Sequence, residues 1–128
     1  MHEVPLPNGR RADILALRPD SFFVCIEVKS GPRDFLTDDK WPDYRDFSDA
    51  LYFAVDDAFP LDLLPAGVGL IVASEGFADI VREAPAHPLV PARRRSLLQR
   101  FAWIAALRLA ALEDPAGATD LRAALRAD

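Results

Sequence analysis

The sequence predicts a mixed α/β fold in which helices flank a β-sheet, and three features of the chain lead to this prediction. Two apolar segments, Arg11–Leu17 and Phe22–Val28, are typical of strands joined by a proline-containing turn. A helical stretch over residues 33–48 leads to a further apolar strand, Leu51–Val55, which suits a crossover between parallel strands. Near the C-terminus, Ala92–Leu112 has the length and apolar content of a helix that docks on a sheet.

The first half of the chain also contains a short strand and an interrupted helix. Glu3–Leu6 is predicted as an edge strand, because Pro5 and Pro7 cannot donate the hydrogen bonds of a central strand. The hairpin strands are apolar on both faces, which predicts a sheet covered on each side. Pro42 interrupts the helical spacing of residues 33–48, so we expect two short helices or one kinked helix there.

The predicted elements of the second half are, in order, a strand over Val68–Ala73, a strand over Ala78–Arg82, the helix over Ala92–Leu112 and a short helix over Thr119–Arg126. Glu75 and Gly76 supply the turn of a hairpin between the two strands. Residues 114–117 contain proline and glycine and are expected to break the long helix, with Thr119 or Asp120 near the N-cap of the last one.

The bulk composition describes a folded domain. The 128 residues suit a single domain over residues 1–113, followed by a C-terminal extension over residues 114–128. Hydrophobic residues make up 51% of the chain, which is enough for a core, yet no apolar run reaches the ~20 residues of a membrane span. We therefore expect no membrane partner. Residues 1–5 lack a basic start followed by an apolar run, which predicts no secretory signal. Cys25 cannot form an internal disulfide, which favours a cytoplasmic location.

The net charge of −5 argues against a protein that coats nucleic acid through its overall field. It does not exclude an enzyme that contacts a few phosphates locally. The arginines are clustered at residues 10–11 and 93–95, with Arg100 close by, and arginine is the better fork for phosphate oxygens. Surface solvation explains any single one of these arginines equally well.

Charged residues appear unexpectedly in the two apolar hairpin strands. Glu27 and Lys29 end the second strand and share one of its faces, whereas Val28 points to the other. Asp13 is the one charged residue of the first strand after Arg11. A turn about Asp20 places Asp13 opposite Glu27 on the same face, although a slip of one residue would separate them.

Two neighbouring carboxylates repel each other, and a divalent cation relieves that repulsion. Mg²⁺ prefers hard oxygen ligands, commonly one or two carboxylates with waters and a phosphate oxygen. Asp13, Glu27 and the backbone carbonyl of Val28 could supply the protein ligands, while Lys29 holds the attacking water and stabilises developing negative charge. The alternative is a cross-strand salt bridge between Lys29 and Asp13 or Glu27, which the spacing alone favours and the apolar context opposes.

Three segments together resemble a known family: Gly9–Asp13, Ile26–Ser30 and Lys40–Tyr44. An acidic residue on one strand, Glu-x-Lys on the next, then a helix and a fourth strand resemble the PD-(D/E)xK nuclease superfamily. The three segments in this order resemble, more narrowly, the MmcB family of bacterial DNA-repair-associated proteins. The resemblance runs from Glu3 to about Leu112.

The resemblance implies a restriction-endonuclease-like αβββαβ core, which is a mixed sheet flanked by helices. This sequence departs from that pattern, because the first helix of the core is absent. The resemblance also implies Mg²⁺- or Mn²⁺-dependent cleavage of DNA in repair. The form of the DNA partner stays open, with branched and single-stranded DNA as candidates. By that likeness Asp13 and Glu27 bind metal and Lys29 assists the attacking water as the third catalytic residue. The accessory candidates are Glu3, Arg11, Ser30, Lys40 and Tyr44. Glu3 could replace an acidic residue of the absent helix. Lys40 and Tyr44 are spaced i, i+4 on the expected helix, so they would face the same site, where Lys40 could contact a phosphate; core packing is an equal alternative for Tyr44.

Two other functions remain open at this point. A non-catalytic DNA-binding repair module would keep the nuclease fold and bind DNA without cutting it. A protein-interaction module would use the apolar helix from Phe101 to Leu112 as the face of a homodimer or of a repair-protein partner. Other catalytic classes fit poorly, because His2 and His87 lack metal-ligand spacing and the chain has neither Gly-x-Ser-x-Gly nor a glycine-rich phosphate loop.

Overall fold

A computed structural model describes residues 1–126 and contains, over that range, one six-stranded sheet with three α-helices. The strands are β1 (His2–Pro5), β2 (Arg11–Leu17), β3 (Phe23–Val28), β4 (Ala50–Val55), β5 (Gly69–Ser74) and β6 (Phe77–Arg82). The helices are α1 (Pro32–Thr37), α2 (Pro91–Glu113) and α3 (Pro115–Arg126), together with 3₁₀ helices over Trp41–Phe47 and Leu61–Leu63.

The sheet is open and mixed, and its strands lie side by side in the order of the sequence. Strands β3, β4 and β5 are parallel to one another, whereas the β1–β2, β2–β3 and β5–β6 pairs are antiparallel. The predicted α/β class, the two hairpins and the parallel crossover after β3 are therefore confirmed. The connection from β4 to β5 differs, because it runs through a proline-rich loop with one short 3₁₀ turn.

The register of the β2–β3 hairpin is the one that the turn chemistry predicts. Ile14 pairs with Ile26 and Leu17 pairs with Phe23, so extending the ladder by one residue sets Asp13 opposite Glu27. The turn closes when the Ser21 amide donates to the Arg18 carbonyl, with Ser21 at a φ of 65°. A slip of one residue is thereby excluded, and the position of the two carboxylates follows from the turn.

The predicted interrupted helix is two short helices that cover one face of the sheet. Pro42 lies in the first turn of the 3₁₀ helix. Backbone N–H groups in a first turn have no acceptor within the helix, so proline loses no hydrogen bond there and begins a helix rather than kinking one. The rings of Phe35 and Trp41 meet Phe53 of β4 edge-on, with centroids 5.5 and 5.6 Å apart. Phe53 is fully buried, and this packing positions the connection from α1 to β4 over the end of β3.

The chain divides into two compact units, the first over Met1–Val90 and the second beginning at Pro91. In the second unit, α2 agrees with the predicted long helix, but α3 begins at Pro115 rather than near Thr119. The Asp114 carboxylate accepts a hydrogen bond from the Gly117 amide at 3.0 Å, and Pro115 occupies the first helical position. The predicted break is therefore a cap followed at once by a new helix.

Neither α2 nor any other helix within residues 1–126 is long and apolar enough to cross a membrane.

Candidate functional site

The two acidic residues of the hairpin hold each other's strand at the point where β2 and β3 separate. The Asp13 amide donates to Glu27 Oε1 at 3.1 Å, and the Val28 amide donates to Asp13 Oδ2 at 2.8 Å. Each carboxylate thus satisfies a backbone amide of the opposite strand that the ladder no longer pairs. This exchange fixes both side chains at the end of the sheet, because backbone donors leave a carboxylate little freedom to rotate.

The Glu27 carboxylate is buried, with 3% of the residue exposed. Burial raises the pKa of Glu27 from its ordinary 4.5 to about 7, and the charge of Asp13 acts in the same direction. The Asp13 amide, the charge of Lys29 and the Tyr44 hydroxyl lower the pKa again, but they do not offset burial. A cation beside Glu27 would therefore stabilise a charge that the protein alone holds at a cost.

Lys29 lies on the same side as Glu27 and is 7% exposed. Its Nζ forms an ion pair with Asp38 Oδ2 at 2.5 Å and lies 5.8 Å from the centre of the Phe53 ring. The alternative of a cross-strand salt bridge from Lys29 to Asp13 or Glu27 is therefore wrong: the ion-pair partner is Asp38, in the connection after α1. Sequence reasoning missed Asp38, since no strand or helix period links residues 29 and 38.

The Asp38 carboxylate is ionised more readily than an ordinary aspartate. Burial raises its pKa, but the hydrogen bond from Lys29 and the backbone amides of Lys40 and Trp41 outweigh burial and lower the pKa overall. Lys40 itself donates its amide to Asp38 Oδ1 at 2.9 Å, and its side chain is exposed. The expectation that Lys40 and Tyr44 share a helix face is wrong, because Lys40 precedes a 3₁₀ helix, whose three-residue turn does not align i with i+4.

Tyr44 faces the site. Its hydroxyl has one proton to donate and hydrogen bonds to the Glu27 carboxylate, and the Arg11 carbonyl, 3.3 Å away, is a competing acceptor. Burial and the neighbouring charge of Glu27 raise the pKa of Tyr44, so the hydroxyl stays a donor. Core packing alone therefore does not account for Tyr44, because its hydroxyl hydrogen bonds to the Glu27 carboxylate.

The three segments singled out in the sequence meet at this place. The Arg10 guanidinium binds Asp43 Oδ2 through Nε at 2.9 Å and through a terminal nitrogen at 2.8 Å, and Asn8 donates to the Asp43 carbonyl. These contacts tie the turn before β2 to the 3₁₀ helix that carries Tyr44. Asp43 is a second residue that sequence reasoning passed over, although it lies within the Lys40–Tyr44 segment.

Two of the accessory candidates, Glu3 and Ser30, line the same pocket as Asp13, and a third, Arg11, contacts Glu3. Asp13 lies in an open pocket of about 610 Å³ together with Glu3, Ser30 and Asp34. Asp34 accepts hydrogen bonds from the Ser30 amide at 3.1 Å and its hydroxyl at 3.3 Å, so Ser30 is already engaged. Arg11 forms an ion pair with Glu3 at 2.5 Å, and each neutralises the other's charge.

The arrangement could hold a metal ion through two carboxylates. Within residues 1–126, no three side chains of the His, Cys, Asp and Glu types converge to form a metal site by themselves. Asp13 and Glu27 each accept a hydrogen bond from a backbone amide through one carboxylate oxygen. The other oxygen of each carboxylate could bind the cation. A cation that takes one or two carboxylates and completes its shell with waters and a phosphate oxygen suits this donor set.

Comparisons with known proteins give a family and a structural relative. The family model described as DNA repair protein MmcB-like matches residues 1–116. Among solved structures, the SPO1766 protein of unknown function from Silicibacter pomeroyi is 46% identical, with a TM-score of 0.84, over 91% of this chain and 80% of that one. No curated protein shows significant similarity to the chain.

Proposed function

This chain belongs to the MmcB-like family of DNA repair proteins, and on that premise we propose that it is a metal-dependent deoxyribonuclease of the PD-(D/E)xK superfamily. The reaction proposed is hydrolysis of a phosphodiester bond in DNA during repair. The order β2, β3, α1, β4 and the positions of Asp13, Glu27 and Lys29 agree with the pattern of that superfamily. The family supports DNA as the partner. Branched or single-stranded DNA is the form that we propose.

The observation that carries the proposal is the exchange of backbone hydrogen bonds between Asp13 and Glu27. A purely structural strand end would place apolar or neutral side chains here, because a second carboxylate beside a buried one is costly. The protein instead anchors both carboxylates through backbone amides and brings the charge of Lys29 near them. Such an arrangement is typical of a site that takes up a cation and a phosphate.

The residues fit Mg²⁺ or Mn²⁺ better than a softer ion. Asp13 and Glu27 supply hard carboxylate oxygens, and the Val28 carbonyl is the third protein ligand that we propose. A bound ion would activate a water molecule and neutralise charge on the phosphoryl group.

The other side chains orient and balance charge. The Lys29 ammonium adds a positive charge where negative charge develops on the phosphoryl oxygens, in a buried place where water screens it little. The Tyr44 hydroxyl donates to Glu27 and so favours its ionised form, which is the form a cation binds. Ser30 and Asp34 line the pocket beside Asp13, and neither of them carries a positive charge.

The test is cleavage of single-stranded, duplex, flap and junction DNA with Mg²⁺ or Mn²⁺. Glu27→Ala and Lys29→Ala should each lower the rate at least ~100-fold, since each removes a charge used in the transition state. Glu75→Ala is the matched control, because Glu75 lies exposed in the β5–β6 turn and should cut at the wild-type rate.

The same panel separates the alternatives. DNA binding without cutting by the wild type under every metal condition would favour the non-catalytic repair module. Neither binding nor cutting, together with a mass that depends on concentration, would favour the protein-interaction module.

A further inference from the structure

The positive charge of the candidate site is held by a residue from outside the sheet. Lys29 projects from the end of β3, and its ion-pair partner, Asp38, belongs to the connection between α1 and the 3₁₀ helix. The two side chains are 7% and 17% exposed. A shielded pair of this kind is restricted in geometry, because either group would leave the other's charge uncompensated if it moved away.

Asp38 is itself fixed by the backbone on both sides. Its amide donates to the Phe35 carbonyl at 3.0 Å, which ends α1, and its Oδ1 accepts from the Lys40 amide. The rings of Phe35 and Trp41 pack on Phe53. The segment that carries Asp38 is therefore docked on the same aromatic ring over which the Lys29 ammonium lies.

From these contacts we infer that Asp38 is a positioning residue for the nuclease reaction and acts through Lys29. The inference rests on the proposed function. The carboxylate keeps the Lys29 Nζ above Phe53, so the ammonium meets the reacting phosphate in one orientation instead of several. The 3₁₀ helix that starts three residues later presents Tyr44 to Glu27, so residues 38–44 position two of the site's side chains at once.

The kinetic test uses Asp38→Asn, which keeps the size and removes the charge. We expect kcat to fall about 10- to 100-fold while KM for DNA changes less than about 2-fold, because Lys29 is misplaced but the DNA contacts remain. Asp38→Glu keeps a carboxylate and should recover part of kcat. Asp39→Asn is the matched control: Asp39 is the exposed neighbour and should behave as the wild type.

A second readout needs no nuclease activity. The chain has two lysines, Lys29 and Lys40, so the ¹⁵N spectrum of the lysine ammonium groups has one buried and one exposed signal. The Lys29 signal should exchange slowly with water in the wild type and in Asp39→Asn, and quickly in Asp38→Asn. Thermal unfolding of each variant confirms that it is folded in both experiments.

The outcomes separate this inference from the proposed function. An unchanged or increased kcat in Asp38→Asn, with an active wild type, overturns the positioning role and leaves the nuclease in place. A loss in Asp38→Asn that Asp38→Glu does not relieve, with Lys29 exchange unchanged, shows a role that bypasses Lys29 and also overturns it. A wild type that never cuts, while Lys29 exchange still depends on Asp38, overturns the nuclease function and with it any role in that reaction.

Discussion

Glu27 makes the stability of this protein depend on pH. Its pKa is about 7 in the folded chain against 4.5 ordinarily, so the folded state binds the proton more tightly than the unfolded state. Stability from this group is therefore fully present below pH 4.5 and is lost as pH rises through 7. The wild type should lose this contribution as pH rises from 5 to 8.5, whereas Glu27→Gln has none to lose. The difference in unfolding free energy, Glu27→Gln minus wild type, should therefore increase by about 2.5 kcal/mol from pH 5 to pH 8.5.

Urea unfolding in the presence of a metal chelator measures this difference. Gln is the matched replacement, because it keeps the oxygen that accepts the Asp13 amide and cannot ionise. A difference between Glu27→Gln and the wild type that is the same at pH 5 and pH 8.5 would show that burial does not raise this pKa.

Tyr44 acts on the same carboxylate, and its removal has a predictable direction. Tyr44→Phe deletes the hydroxyl that lowers the pKa of Glu27, so the pKa should rise further, and unfolding free energy should fall by about 1 kcal/mol. Side-chain ¹³C NMR titration of the glutamates measures the pKa. Tyr52→Phe is the control, because the Tyr52 hydroxyl binds Glu83 and should leave the Glu27 titration unchanged.

At the level of elements, Asp49 joins segments that the local sequence does not connect. It is fully buried before β4, and its carboxylate accepts from the Phe23 amide at 2.7 Å and the Leu89 amide at 2.8 Å. Its own backbone amide and carbonyl pair with the Phe23 carbonyl and the His87 amide. The start of β3, the start of β4 and the segment before α2 thus share one buried side chain.

Asp49→Ala should therefore be severely destabilising. The change leaves two buried amides without acceptors, and we expect a loss of about 3 to 5 kcal/mol in chemical unfolding. Asp57→Ala is the control, since Asp57 is exposed in the loop after β4 and should change stability by less than about 0.5 kcal/mol. A loss at Asp49 no greater than at Asp57 would mean that water replaces the carboxylate there.

For the whole molecule, uptake of a cation at the proposed metal site would link that site to global stability. If Mn²⁺ binds with a dissociation constant of about 1 mM, 10 mM Mn²⁺ stabilises the folded chain by about 1.4 kcal/mol. The net charge of −5 also attracts cations weakly over the surface, so a control is needed. The double variant Asp13→Asn, Glu27→Gln should lose the metal-dependent rise in Tm; an equal rise in both proteins would assign the effect to the surface.

The hairpin is predicted by the sequence itself, whereas its register needed the structure. A proline turn, two apolar strands and a period of two favour Asp13 opposite Glu27, but both strands are apolar on both faces, so alternation does not exclude a slip of one residue. The strand pairing and the turn from Arg18 to Ser21 exclude it. The parallel crossover, the β5–β6 hairpin and α2 follow from equally local patterns. The segments that resemble the MmcB family are likewise visible in the sequence, and the family match over residues 1–116 confirms that resemblance.

Only the tertiary structure decided which groups the charged side chains contact. Lys29 pairs with Asp38, Arg10 with Asp43, and Asp49 with the amides of β3 and Leu89. No period in the chain links these residues, because each contact depends on where a loop or a short helix docks after the sheet has formed. Propensity and alternation fix which face a side chain occupies, whereas the group that it meets there is set by the packing of distant segments.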